Sequence, residues 1–192
     1  AFAQVRIKAT RDDDTSTYYE AGGAYGTTDW TYYETIFSAG GEVRVDYLLL
    51  QMVGLGQAWF DDIQLQVLAD KGAAGDQFVR APEAPPAPLD LRMLRTQSLP
   101  LSNSDFEKGD RDWGLQQWKG SPKVSVPWMK GRDSLRALEI KGNADGWDSV
   151  GVAVRNISAM TLDPRRRYVL RGWIRTADVT GQAMLRIKVK YQ

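Results

Sequence analysis

An all-β antiparallel sandwich is the fold this 192-residue sequence predicts, and three observations predict it. Polar and apolar residues alternate at period two in segment after segment. Gly-rich or Thr/Asp-rich turns separate those segments. No stretch carries a convincing helical stripe. Seven or more strands in turn-punctuated succession suit two packed antiparallel sheets.

Taken in order, Gln4–Ala9 reads Q-V-R-I-K-A, a strict alternation. Trp30–Phe37, Glu42–Leu50 and Ala58–Leu68 continue the pattern in the first part of the chain. Ser134–Ile140, Val150–Val154, Tyr168–Thr176 and Gln182–Tyr191 repeat it in the second. Between the two parts lies 69–100, whose heart A-P-E-A-P-P-A-P has no ladder pattern. Such Pro-rich stretches favour extended polyproline geometry and act as semi-rigid spacers. The division expected is therefore 1–68, a linker over 69–100, and 101–192; a long loop inside one domain is the alternative.

Composition removes several chemistries. Without Cys there is no disulfide framework, thiolate zinc site or Cys nucleophile, and without His there is no Ser-His-Asp triad. A metal site would be lined by oxygen, which points to calcium or magnesium. Lys and Arg number 25 against 24 acids, a net charge of +1, so no global field draws in nucleic acid or an anionic membrane. The run Arg165–Arg167 is short and reads as a solvated turn. No segment approaches the roughly 20 apolar residues of a membrane helix. The sequence opens on Ala1 rather than Met and without a signal peptide, which points to a processed or excised stretch of a longer polypeptide.

An internal match links the two ends: V-R-I-K-A-T at Val5–Thr10 and L-R-I-K-V-K at Leu185–Lys190. Two further motif pairs frame it. T-T-D-W-T-Y-Y-E-T-I-F (Thr27–Phe37) and G-Q-A-W-F-D-D-I-Q-L (Gly56–Leu65) resemble the closing strands of jelly-roll, galactose-binding-like carbohydrate-binding modules found beside xylanases and laminarinases. N-S-D-F-E-K-G-D-R-D-W (Asn103–Trp113) and Y-V-L-R-G-W-I-R-T (Tyr168–Thr176) resemble the opening segments of the same superfamily. Closing motifs come first, so the resemblance implies the C-terminal half of one module followed by the N-terminal half of the next, a fragment of a tandem repeat. A half sandwich leaves an edge unpaired and a face bare. Its completion comes from a longer polypeptide or assembly, from the two halves meeting as a permuted sandwich, or from strand exchange with another chain.

What the resemblance implies about chemistry is modest. In that superfamily an acidic strand end and an early Glu share a structural calcium, a role that falls on Asp61, Asp62 and Glu107; the residues alone read equally as solvated acids closing a strand. Asp12, Asp13 and Asp14 lack EF-hand spacing and read as a loop tip. No pair of carboxylates stands in apolar surroundings as a glycosidase requires, so no catalysis is expected. Sugar sites use aromatic rings as flat platforms. Trp30, Trp59 and Trp173 lie inside strand motifs and read as core, whereas Trp113, Trp118, Trp128 and Trp147 lie near turns. The platform candidates are Trp118, Trp128 and Trp147, with Tyr18, Tyr19 and Tyr25 in the region after Asp14 as first-half equivalents. The expected function is a non-catalytic polysaccharide- or glycan-binding module of a secreted or cell-envelope protein; the alternative is an assembly module of a surface layer, filament or complex, partnered by other protein chains.

Overall fold

The structure, a computed structural model, describes residues 10–13, 16–41, 43–68, 96–117, 123–142, 149–154 and 160–191. These residues form β1 (Thr10–Asp13), β2 (Ser16–Ser38), β3 (Val43–Val53), β4 (Gly56–Leu68), β5 (Thr96–Ser98), β6 (Trp113–Gln117), β7 (Lys123–Ser125), β8 (Leu138–Gly142), β9 (Ser149–Val154), β10 (Thr161–Leu162) and β11 (Arg167–Tyr191). Every strand pairing among them is antiparallel.

Two strands organise the rest. β2 and β11 run 23 and 25 residues and pair from Arg167↔Ser38 to Lys190↔Ser16. Their register slips repeatedly between Ile174 and Met184, where the ribbon bends. On its other edge β11 changes partner across this bend. Residues 168–177 pair with β4, and residues 182–191 pair with β3. One lobe of the sheet therefore runs β2–β11–β4–β8–β7, the other β2–β11–β3–β9–β6. The lobes face one another: a Cβ added at Gly172 would meet Ile63 Cδ1 at 2.6 Å and Leu185 Cδ1 at 3.1 Å, one atom from each lobe. The fold is all-β, antiparallel and sandwich-like.

Period-two patterning fills the space between the lobes. Leu48, Leu50 and Met52 of β3, Phe60, Ile63 and Leu65 of β4, and Leu170, Ile174, Leu185 and Ile187 of β11 are all buried in one cluster. Each such side chain contributes about 1.5–3 kcal/mol on leaving water. The β3–β4 turn supplies the corner. Leu55 N–H donates to Thr180 Oγ1 at 2.9 Å, and Thr180 N–H donates back to Leu55 O at 3.1 Å.

The pairings select one of the three completions left open by the sequence and revise the reading in three places. β11, from the second part, bonds to β2, β3 and β4 of the first, so the two parts complete each other within one chain. Thr96–Ser98 lies in the stretch read as linker, yet it pairs with the end of β4, and Leu99 N–H donates to Leu65 O at 2.8 Å. The apolar Leu99 and Leu101 pack on the core, and this draws the end of the Pro-rich segment into the sheet. Tyr168–Thr176 and Gln182–Tyr191 are one strand, because the bulges that separate their patterns bend it without ending it. The strand expected at Ser134–Ile140 begins only at Leu138, since Ser134 is held in a loop by Asp61. Val5–Ala9 and residues 69–95 lie outside the described residues.

Candidate functional site

β4 carries an irregularity at the acidic pair. Asp62 has φ 52°, and the register with β11 shifts beside it. This left-handed residue lets both carboxylates leave the sheet on the side of the 129–136 loop. Asp61 is buried and accepts from Arg132 N–H at 2.8 Å, Ser134 Oγ–H at 3.0 Å and Asp62 N–H at 2.9 Å. Burial pushes its pKa up to about 6, and the Asp62 charge adds to the rise. The hydrogen bonds from Arg132, Ser134 and Asp62 oppose it. Asp62 takes the Arg132 guanidinium at 3.0 Å. Glu107 Oε1 accepts Arg136 N–H at 2.8 Å.

Asp61, Asp62 and Glu107, the three acids expected to share calcium, all bind one loop. Their oxygens take N–H and O–H donors of residues 132–136. Among the described residues no group of three or more acids is gathered as metal ligands. Asp14 lies outside the described residues, while Asp12 and Asp13 sit in β1 rather than at a loop tip.

The segment before β6 is knotted around Asn103. Its Nδ2 donates to Gly109 O and Arg111 O, both at 2.8 Å, and its Oδ1 accepts Lys108 N–H at 2.9 Å. Trp113 Nε1–H donates to Asn103 O at 3.0 Å, and the Trp113 ring meets buried Phe106 at 4.8 Å between centroids. Ser104 O accepts Ile63 N–H, which fastens the knot to the acidic bulge. Asn103→Ala removes three bonds from a buried amide and is expected to cost about 2–3 kcal/mol. A shift of the urea midpoint worth less than about 1 kcal/mol contradicts that organising role.

The knot forms one wall of a cleft of about 360 Å³ at the free end of the β4–β8–β7 lobe. Gly109, Asp110 and Trp113 face Val124, Ser125, Val126, Arg136 and Leu138 across it. Trp128 stands beside the cleft, bridged to Arg136 through the backbone, and is 58 % exposed. The Arg136 guanidinium lies 4.1 Å from its ring centroid and donates to Val126 O at 3.3 Å. One ring face is thereby backed by a fixed cation. Chemically this is a half-apolar cleft with an open indole platform, a carboxylate, a hydroxyl and a guanidinium.

The other aromatic candidates fare differently. Trp118 and Trp147 lie outside the described residues. Tyr18 and Tyr19, expected in a loop, are buried within β2: Tyr18 Oη bonds Tyr47 Oη at 2.8 Å, and Tyr19 stacks on Phe37 and donates to Ser38 O. Neither presents a free ring face, because strand β2 begins far ahead of the Trp30 motif. Tyr25 is 72 % exposed. Trp113, read as near a turn, is buried. Trp59, read as core, is buried beneath Arg175, while Trp30 and Trp173, also read as core, are only partly buried and lie against the guanidinium groups of Arg175 and Arg132. Sequence reasoning missed Arg136 and Asp110, whose meeting with Trp128 depends on loop closure and leaves no local pattern. In comparisons with known proteins, no family model, curated protein or solved structure matches the chain.

Proposed function

We propose that the chain is a non-catalytic carbohydrate-binding module of the jelly-roll, galactose-binding-like kind, belonging to a larger secreted or cell-envelope protein. The observation that carries this reading is the exposed Trp128 ring, backed by Arg136, beside a cleft that holds Asp110 and Ser125. A pyranose offers an apolar C–H face to the indole and hydroxyls to the polar rim. Retardation in gels containing soluble neutral polysaccharides tests it. Trp128→Ala is expected to abolish retardation by the polymer the chain recognises, with the thermal midpoint unchanged because the side chain is largely in solvent. Unaltered retardation by that variant overturns the assignment.

A second reading, an assembly module without a sugar ligand, draws support from the same hairpin. Met129 is 81 % exposed and Leu135 48 %, next to Trp128. An apolar tip of this kind suits a protein partner. Concentration-dependent association lost in Met129→Ser, together with no retardation by any polysaccharide, favours that reading over the first.

A further inference from the structure

The outer face of the β4–β8–β7 lobe carries a second arrangement, which borders the cleft at Ser125 and extends away from it. Outward positions align in rows across the strands. One row is Trp30 on β2, Arg175 on β11, Trp59 on β4, Glu139 on β8 and Ser125 on β7. The next row places Gln57 beside Lys141, and Lys141 beside Lys123.

Arg175 is the unusual member. Its guanidinium is held between two indoles, 4.4 Å from the Trp59 ring centroid and 5.2 Å from that of Trp30. Among the described residues it has no ion pair or hydrogen bond. The nearby Arg132, by comparison, is tied to Asp62 and Asp133. The indole N–H of Trp59, in contact with Arg175, is buried and also lacks an acceptor. Buried donors without acceptors are rare in native proteins, and a missing ligand or ion is one of the few causes. Lys123 and Lys141 are exposed and directly opposed, like charges that destabilise a pair unless an anion lies between them. The acids close by are already engaged: Glu139 accepts Ser125 Oγ–H at 3.0 Å, and Asp29 accepts Trp30 N–H at 2.7 Å.

We infer that this face binds an acidic saccharide chain, its carboxylates meeting Arg175 and the Lys123–Lys141 pair. Arg175 and Lys123 are three strand spacings apart, about 14 Å measured across the strands, a span for several sugar units rather than one ion. Gln57, Ser125 and Glu139, set among the cations, give hydroxyl groups donors and acceptors. A single-stranded nucleic acid fits less well, because guanidinium already occupies the indole faces that bases need.

The test uses the 192-residue chain in affinity gels containing polygalacturonate, its methyl-esterified form, or a single-stranded oligonucleotide. Polygalacturonate is expected to retard the chain at low salt and the esterified polymer not to. Arg175→Gln and the double variant Lys123→Glu/Lys141→Glu are each expected to weaken binding about tenfold or more, one charged hydrogen bond's worth. The lysine variant alters only exposed side chains, so it decides the matter if Arg175→Gln fails to fold. Trp128→Ala is expected to leave polygalacturonate binding intact, which separates this face from the cleft. The inference is overturned by equal binding of the esterified polymer, by full binding in the lysine variant, by loss in Trp128→Ala, or by an oligonucleotide binding at these residues while polygalacturonate does not.

Discussion

Gly56→Val is expected to destabilise the fold by about 4 kcal/mol or more, enough to leave much of the chain unfolded at room temperature. Gly56 has φ +105°, a conformation that a β-branched residue adopts only under strain. Space is as limiting as torsion. A Cβ there would sit 2.4 Å from Asp178 O and 2.6 Å from Asp178 C, backbone atoms of the strand that fixes the corner. Relief would require separating the β3–β4 turn from β11 and breaking the paired bonds between Leu55 and Thr180. Gly23→Ala is the control. Its φ is +110° but no atom lies within 4 Å of the added carbon, so only the torsional part, about 1–2 kcal/mol, is expected. Urea denaturation of both variants measures the difference. Equal midpoints would mean that the corner is not close-packed.

Asp61→Ala carries the second large effect, about 3 kcal/mol, because it strands the Arg132 and Asp62 N–H groups and leaves the Ser134 hydroxyl with Arg136 O alone. Asp61→Asn addresses the charge separately. With its pKa raised from 3.8 to about 6, Asp61 holds a proton more tightly in the folded state than in the unfolded chain. Its contribution is thus fully present below about pH 4 and lost as pH rises through about 6. The loss is on the order of 3 kcal/mol. Other carboxylates act in the opposite sense in acid, so the readout is the difference between the parent chain and Asp61→Asn across pH 4 to 7. A difference that does not change with pH would place Asp61 in water.

Much of the fold is legible in local pattern. Period-two alternation locates the strands because each has one face in the core, as Leu185, Ile187 and Val189 illustrate against Arg186, Lys188 and Lys190. Bends are not legible in that way. A bulge breaks alternation without breaking the strand, so β11 reads as two strands. The outer face misleads for another reason: a Trp covered by a guanidinium is as apolar in sequence as a Trp in the core, and only three-dimensional neighbours distinguish Trp173 under Arg132 from Leu170. At the site, Trp128 is legible because Pro127, Lys130 and Gly131 mark a turn around it. Asp61 and Asp62 are legible as an adjacent acidic pair at the W-F-D-D motif. Their counter-charge is not, because Arg132 lies about 70 residues from Asp62 along the chain.

The ribbon of β2 and β11 sets a timetable for the chain's own synthesis. Thr17 meets Tyr191 across 174 residues, so β2 cannot be secured until the chain as far as β11 has been made. Through that interval β2, β3 and β4 wait with the apolar faces of a sheet whose central strand is missing. Loop-closure entropy delays such distant pairing, and partly made sheets invite association with their neighbours. Arrival of β11 supplies partners to all three strands together, so folding is expected to finish in one late, cooperative step rather than domain by domain.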